Sequence, residues 1–188
     1  MVTRIAPHVL GRRWLAGVSS TPCTTTDLWR SGSLAPVQLS CRFDAVLVAT
    51  AFMTQAVLAE LDESGVPPGP VLFSHGDQTS CWLVPVRPGA DWQLRGTVLF
   101  TEPEDGGEPP SVLMPAPGSG RVWGMQWLVD PDGSGRLTRH RDLAVALRRA
   151  RRALEFGGRR KDPDRALVSG TSPLRPRGHS GRCHNSPS

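Results

Sequence analysis

Pro36-Val-Gln-Leu-Ser-Cys-Arg-Phe-Asp-Ala-Val-Leu-Val-Ala49, then Phe52 to Ser64, then Gly69-Pro-Val-Leu-Phe-Ser74 and Ser80-Cys-Trp-Leu-Val-Pro85, is the stretch whose reading decides the fold. The runs around Val46 and Val71 are rich in Val and Leu, too short for helices and bounded by Gly or Pro, which predicts strands. Between them Phe52, Val57, Leu58 and Leu61 recur at helical intervals, leaving Gln55, Glu60, Asp62 and Glu63 for the outer side. Gly65 and Pro67-Pro68 end that helix. The polar turn Ser74-His75-Gly76-Asp77-Gln78 then makes a hairpin into a strand over residues 80–86. Both alternating sets of the strand at 43–48 are mostly apolar, so it is expected to be covered on both faces.

Downstream, short strands are expected at Thr97–Phe100, Ser111–Met114 and Trp123–Val129, with a solvated loop from Thr101 to Pro110 and a turn at Asp130-Pro-Asp-Gly. Asp91-Trp92-Gln93-Leu94 reads as one or two helical turns. The last helix takes Thr138 as its N-cap and Asp142 in its first turn. Its apolar stripe is Leu143, Leu147, Ala150 and Leu154, arginines cover its other faces, and Gly157-Gly158 ends it. Upstream, residues 1–10 lack periodicity, Trp14-Leu15-Ala16 is the first cluster expected to be buried, and Thr25 or Thr26 caps a short helix over Asp27–Arg30. A shorter strand at Val37–Leu39 precedes the main one. The predicted fold class is α/β with a mixed α+β sheet. One domain spans 11–156, between a flexible N-terminus (1–10) and a disordered basic tail (157–188).

The totals agree with one domain: 188 residues at 38% hydrophobic content are enough for one domain with a proper core and too few for two comfortable domains. The net charge of +5 is unevenly placed, with 15 Arg against 15 Asp and Glu through residue 156 and seven basic residues against two acidic ones beyond it. Lys161 is the only lysine and Tyr is absent, a bias expected of GC-rich coding. Cys23, Cys41, Cys81 and Cys183 lie far apart without a C-x-x-C pair, which points to neither a zinc site nor a disulfide framework. No run approaches the ~18 apolar residues of a membrane span, and the first thirty residues lack a signal-peptide apolar core. The expectation is a cytoplasmic protein with reduced thiols and no membrane partner.

Four pieces carry a family resemblance: Thr25-Thr-Asp-Leu-Trp29, Ala35-Pro-Val-Gln-Leu39, Gly69-Pro-Val-Leu-Phe73, and Ser111-Val-Leu-Met-Pro-Ala-Pro117 with Gln126-Trp127 following. In their order and spacing, over about residues 12–155, they resemble the bifunctional DNA primase/polymerase N-terminal domains, in particular short divergent members from high-GC actinobacteria. The resemblance implies a primase-polymerase fold, with two metal ions held by three carboxylates and a Ser-x-His histidine on the nucleotide phosphates. Paired divalent ions would stabilise the attacking and leaving oxygens of phosphoryl transfer. Here the corresponding strand continues Leu47-Val48-Ala49-Thr50, without the paired acids. The position of the catalytic histidine holds Ser80-Cys81-Trp82, and the Pro-Gly-Lys type loop of longer relatives is missing from this N-terminus.

The weak catalytic candidates are therefore Asp44, His75, Asp77, Glu104 and Asp105, with Glu102 beside the last two. Each has a plain structural account as well: Asp44 satisfied by Arg42 or a backbone donor, His75 in an exposed hairpin, Asp77 supporting its own turn. Cys41 and Cys81 read as buried core thiols. The candidate nucleic-acid contacts are Arg148, Arg149, Arg151 and Arg152 on the last helix and Arg159, Arg160 and Lys161 at the start of the tail. The leading expectation is a degenerate, non-catalytic primase/polymerase-like domain that binds DNA weakly through phosphates. The alternatives are an interaction module with a protein partner, and an active nucleotidyltransferase in which Asp44, His75, Asp77 and an acid from 102–105 converge. No cofactor is expected, Mg or Mn entering only in the active case.

Overall fold

In chain order the elements are α1 (Pro7–Val18), α2 (Pro22–Arg30), β1 (Ala35–Gln38), β2 (Asp44–Val48), α3 (Ala51–Glu63), β3 (Val71–Ser74), β4 (Thr79–Val84), β5 (Thr97–Phe100), β6 (Ser111–Met114), β7 (Met125–Val129) and α4 (His140–Arg159). This computed structural model describes residues 5–40, 42–86, 92–103 and 105–159. Five strands form one antiparallel sheet in the order β5-β2-β4-β3-β7, and β1 pairs with β6 in a separate two-stranded ladder. Strand β4 is antiparallel to both β2 and β3, so the β2-α3-β3 unit is a parallel crossover with β4 inserted between its strands. The fold is a mixed α+β fold.

Apolar residues on both sides of β2 divide the core in two. Ala45 points with Leu72, Cys81, Leu83 and Trp127 toward α1, α2 and the β1-β6 ladder. Val46 and Val48 point with Val71, Trp82 and Val84 toward α3 and α4, where Val57, Leu61, Leu143 and Leu147 meet them. The strand read as covered on both faces is so: Asp44, Ala45, Val46 and Val48 are buried and Leu47 is half-buried.

Buried polar groups tie the layers together. The hydroxyls of Thr54 on α3 and Ser80 on β4 lie 2.7 Å apart, and the Trp82 indole donates to Ser80 Oγ at 2.8 Å. On the other face the indoles of Trp29 and Trp127 donate to the carbonyls of Met114 and Pro115, both at 2.9 Å. These two bonds hold β6 and the chain after it against α2 and β7, and a buried donor left without them would carry the full desolvation cost.

Several elements differ from the sequence reading. A helix, α1, occupies Pro7–Val18, beginning inside the stretch read as lacking periodicity, with Pro7 in its first turn. Helix α2 begins at Pro22 rather than near Thr26, so Thr25 lies inside it and its hydroxyl meets that of Ser19 at 2.8 Å. Residues 92–94 carry no helix, and Asp91 lies outside the described residues. Strand β7 starts at Met125 because Trp123 and Gly124, both at positive φ, form the turn before it. Phe52 and Leu154 are exposed instead of packed. Thr138 does not open α4: its Oγ1 accepts the Gly69 N–H at 2.8 Å, and the helix starts two residues later. Helix α4 also runs through Gly157-Gly158 to Arg159, and the tail from 160 onward lies outside the described residues.

Candidate nucleic-acid interface

The strand register places the candidate acids at two ends of the sheet. Asp44 pairs with Val84 at one end of β4, whereas Ser74 pairs with Thr79 at the other, next to the turn that carries His75 and Asp77. Five residue steps of about 3.3 Å separate those levels, roughly 17 Å. Strand β5 leaves the sheet beside Ala45, so the loop bearing Glu102 and Asp105 emerges at the Asp44 end. Glu104 lies outside the described residues.

Asp44, His75 and Asp77 each have a hydrogen-bond partner. Asp44 is fully buried and its Oδ2 accepts from the Thr101 hydroxyl at 3.1 Å. His75 Nε2 lies 2.9 Å from Gln126 Oε1, and its ring packs edge-on against Phe73 at 5.0 Å. Asp77 Oδ2 accepts from Ser74 Oγ at 3.0 Å, and the Asp77 backbone N–H donates to that same Ser74 Oγ at 3.3 Å, so it is the serine hydroxyl that holds the turn's backbone. Among the described residues no three of His, Cys, Asp or Glu stand close enough to hold a metal ion. The described residues therefore do not fit the paired-ion centre that the resemblance implies.

Helix α4 sorts its arginines by face. With Leu143, Ala146, Leu147 and Ala150 buried against the sheet, the 100° step per residue puts Arg141, Arg148 and Arg152 on the outward side. Arg149, on one flank, donates to Ser64 Oγ after α3 at 3.2 Å. Arg151, on the other flank, donates to the Arg95 carbonyl before β5. The side chains of Arg159, Arg160 and Lys161 lie outside the described residues.

Alongside the outward face lies a cleft of about 470 Å³, lined by Trp92, Gln93, Leu94, His140, Arg141, Ala144 and Arg148. Trp92 is fixed there: its indole N–H donates to Thr97 Oγ1 at 2.9 Å, Thr97 Oγ1 donates to the Leu94 carbonyl at 2.7 Å, and the His140 ring packs against it at 6.0 Å. Among the described residues, two guanidinium groups and one indole line this cleft. Such a surface attracts phosphate and offers an aromatic ring to a planar group.

Sequence reading found Arg148 but not Arg141 or Trp92. Arg141 carries the signal, being seven residues from Arg148 and hence on the same helical face. Trp92 reaches the helix only through the tertiary fold, and no local spacing announces it. No family model, curated protein or solved structure matches this chain.

Proposed function

We propose that this chain is a non-catalytic, primase/polymerase-like domain that holds single-stranded nucleic acid along α4, indifferent to sequence. The observation that carries the reading is the cleft joining Trp92 to Arg141 and Arg148, which combines phosphate-seeking cations with a stacking ring. The separation of Asp44 from His75 and Asp77 along β4 supports the non-catalytic part. With few cations on the face, binding is weak and strongly salt-dependent, with dissociation constants on the order of 10⁻⁴ to 10⁻⁶ M.

The test is fluorescence anisotropy of the full chain with random-sequence single-stranded and duplex oligonucleotides at two salt concentrations. Arg141→Ala and Arg148→Ala should each weaken binding evenly across sequences and lower the single-strand salt slope by about 0.7. Trp92→Ala should cost single-stranded binding about 1–3 kcal/mol and duplex binding less. Arg149→Ala, on the flank facing α3, should change little. Absence of binding at low salt would remove this reading and leave the protein-interaction alternative.

A further inference from the structure

A second cleft, of about 330 Å³, crosses the opposite face of the sheet beneath β6. Its floor is Leu47, Leu72 and Cys81, and its walls are Phe100, Leu113 and Met125. It exists because side chains at the Thr79 end of this face are not roofed by α1 or α2. Strand β6 stands over them, held at its far end by the Trp29 bond to Met114. Cys81 adds no charge, since burial pushes its thiol up to about 12. Among the described residues of the lining, Asp77, exposed at the mouth, is the one carboxylate. Its carboxylate accepts from Ser74 and has capacity for further donors.

The neighbouring turn adds an aromatic. Val122 and Met125 exchange two backbone hydrogen bonds of 2.8 Å around Trp123-Gly124, a two-residue hairpin turn. Gly124 also accepts the His75 N–H at 2.8 Å, which sets this turn beside the one that bears Asp77. Trp123 is 82% exposed at φ 50°, a left-handed conformation that Asn adopts at lower cost. An exposed indole held against its backbone preference, on a turn adjoining the one that bears Asp77, presents a face suited to a cation.

We propose that this cleft binds a small organic cation, a primary alkyl- or arylammonium, with its hydrocarbon between Phe100, Leu113 and Met125 and its ammonium at Asp77. Occupancy removes the exposed apolar surface of Phe100 and Leu113 from water, and the Asp77 carboxylate at one end orients the ligand.

Calorimetric titration of the full chain with butyl-, pentyl- and hexylammonium chloride, and with neutral 1-hexanol, tests this. Affinity should rise about fourfold per methylene. Asp77→Asn should weaken hexylammonium about threefold and leave 1-hexanol unchanged. Leu113→Ala should weaken both ligands, and since Leu113 is 54% exposed, this variant keeps the fold. Affinity that is flat along the series, or hexylammonium binding indifferent to both substitutions, would overturn the assignment.

Discussion

Two buried side chains in the strand pair β2-β4 show how far single residues were legible. Cys81 was expected to be a core thiol, and it is buried, whereas Cys41 lies outside the described residues. The reason is local: Ser80-Cys-Trp-Leu-Val84 is apolar on both alternating sets, so any thiol in it faces a core. The Thr101 bond to Asp44 is not legible in the sequence, because Thr101 stands 57 positions away and only the β2-β5 register brings it near. The Cys81 burial has a consequence for pH. A thiol whose folded pKa is raised from 9.0 to about 12 favours the folded state fully below its unfolded value, and that contribution is lost as pH rises toward 12. Stability of the full chain should therefore fall between about pH 9 and 12, by up to ~1.4 kcal/mol per pH unit from this group. Urea midpoints at pH 7 and 10 measure it, and Cys81→Val should flatten the difference; an unchanged difference would mean the thiol ionises as readily folded as unfolded.

At the scale of elements, helices and strands were read well where one periodicity ran uninterrupted. The units β2, α3, β3 and β4 fall within a few residues of their expected bounds, since Gly65 and Pro67-Pro68 punctuate them cleanly. Helix α1 is not legible because residues 1–10 show no apolar periodicity, and Gly11 and Gly17 are poor helix formers. Gly11 is instead a contact glycine, where a Cβ would run into the Pro131 carbonyl. Gly69 plays the same part between β3 and the approach to α4: a Cβ there would stand 2.5 Å from Thr138 N and 2.7 Å from Leu137 Cα. Thr138 reciprocates by accepting the Gly69 N–H and donating its own to the Leu83 carbonyl at 3.2 Å. That clasp fastens α4 to the sheet and explains why Thr138, a good cap by sequence, is occupied elsewhere. Gly69→Ala should cost about 1–3 kcal/mol by overpacking against backbone. Thr138→Val should cost about 1–3 kcal/mol by stranding a buried N–H, with Thr138→Ser restoring most of it. Chemical denaturation separates these outcomes from a surface-like change below about 0.5 kcal/mol.

For the whole molecule, the sequence carried the fold class further than the site. Fold class follows from hydrophobic period, which is local. The cleft at α4 requires Trp92 and Arg148 to meet across the chain, and the carboxylates separate along β4 for an equally non-local reason. The same architecture makes a prediction about cooperativity. Leu15 on α1 and Leu143 on α4 are both fully buried, yet they belong to cores on opposite faces of one sheet. Each Leu→Ala change removes contacts that the surrounding side chains cannot refill, at about 2–5 kcal/mol. Sheet and helix layers pack about 10 Å apart, so the two sites are separated by two layer spacings and share no side-chain partner. Their effects should then add within about 0.5 kcal/mol in the double variant. Because β2, β3 and β4 contribute side chains to both cores, loss of either face also removes support from the other, and unfolding should remain one transition. Urea unfolding of the wild-type chain, the single variants and the double variant, followed by far-UV circular dichroism and tryptophan fluorescence, checks both points. Non-coincident transitions in Leu15→Ala would show that the α1-α2 layer melts separately, and the sheet would then be held chiefly by α3 and α4.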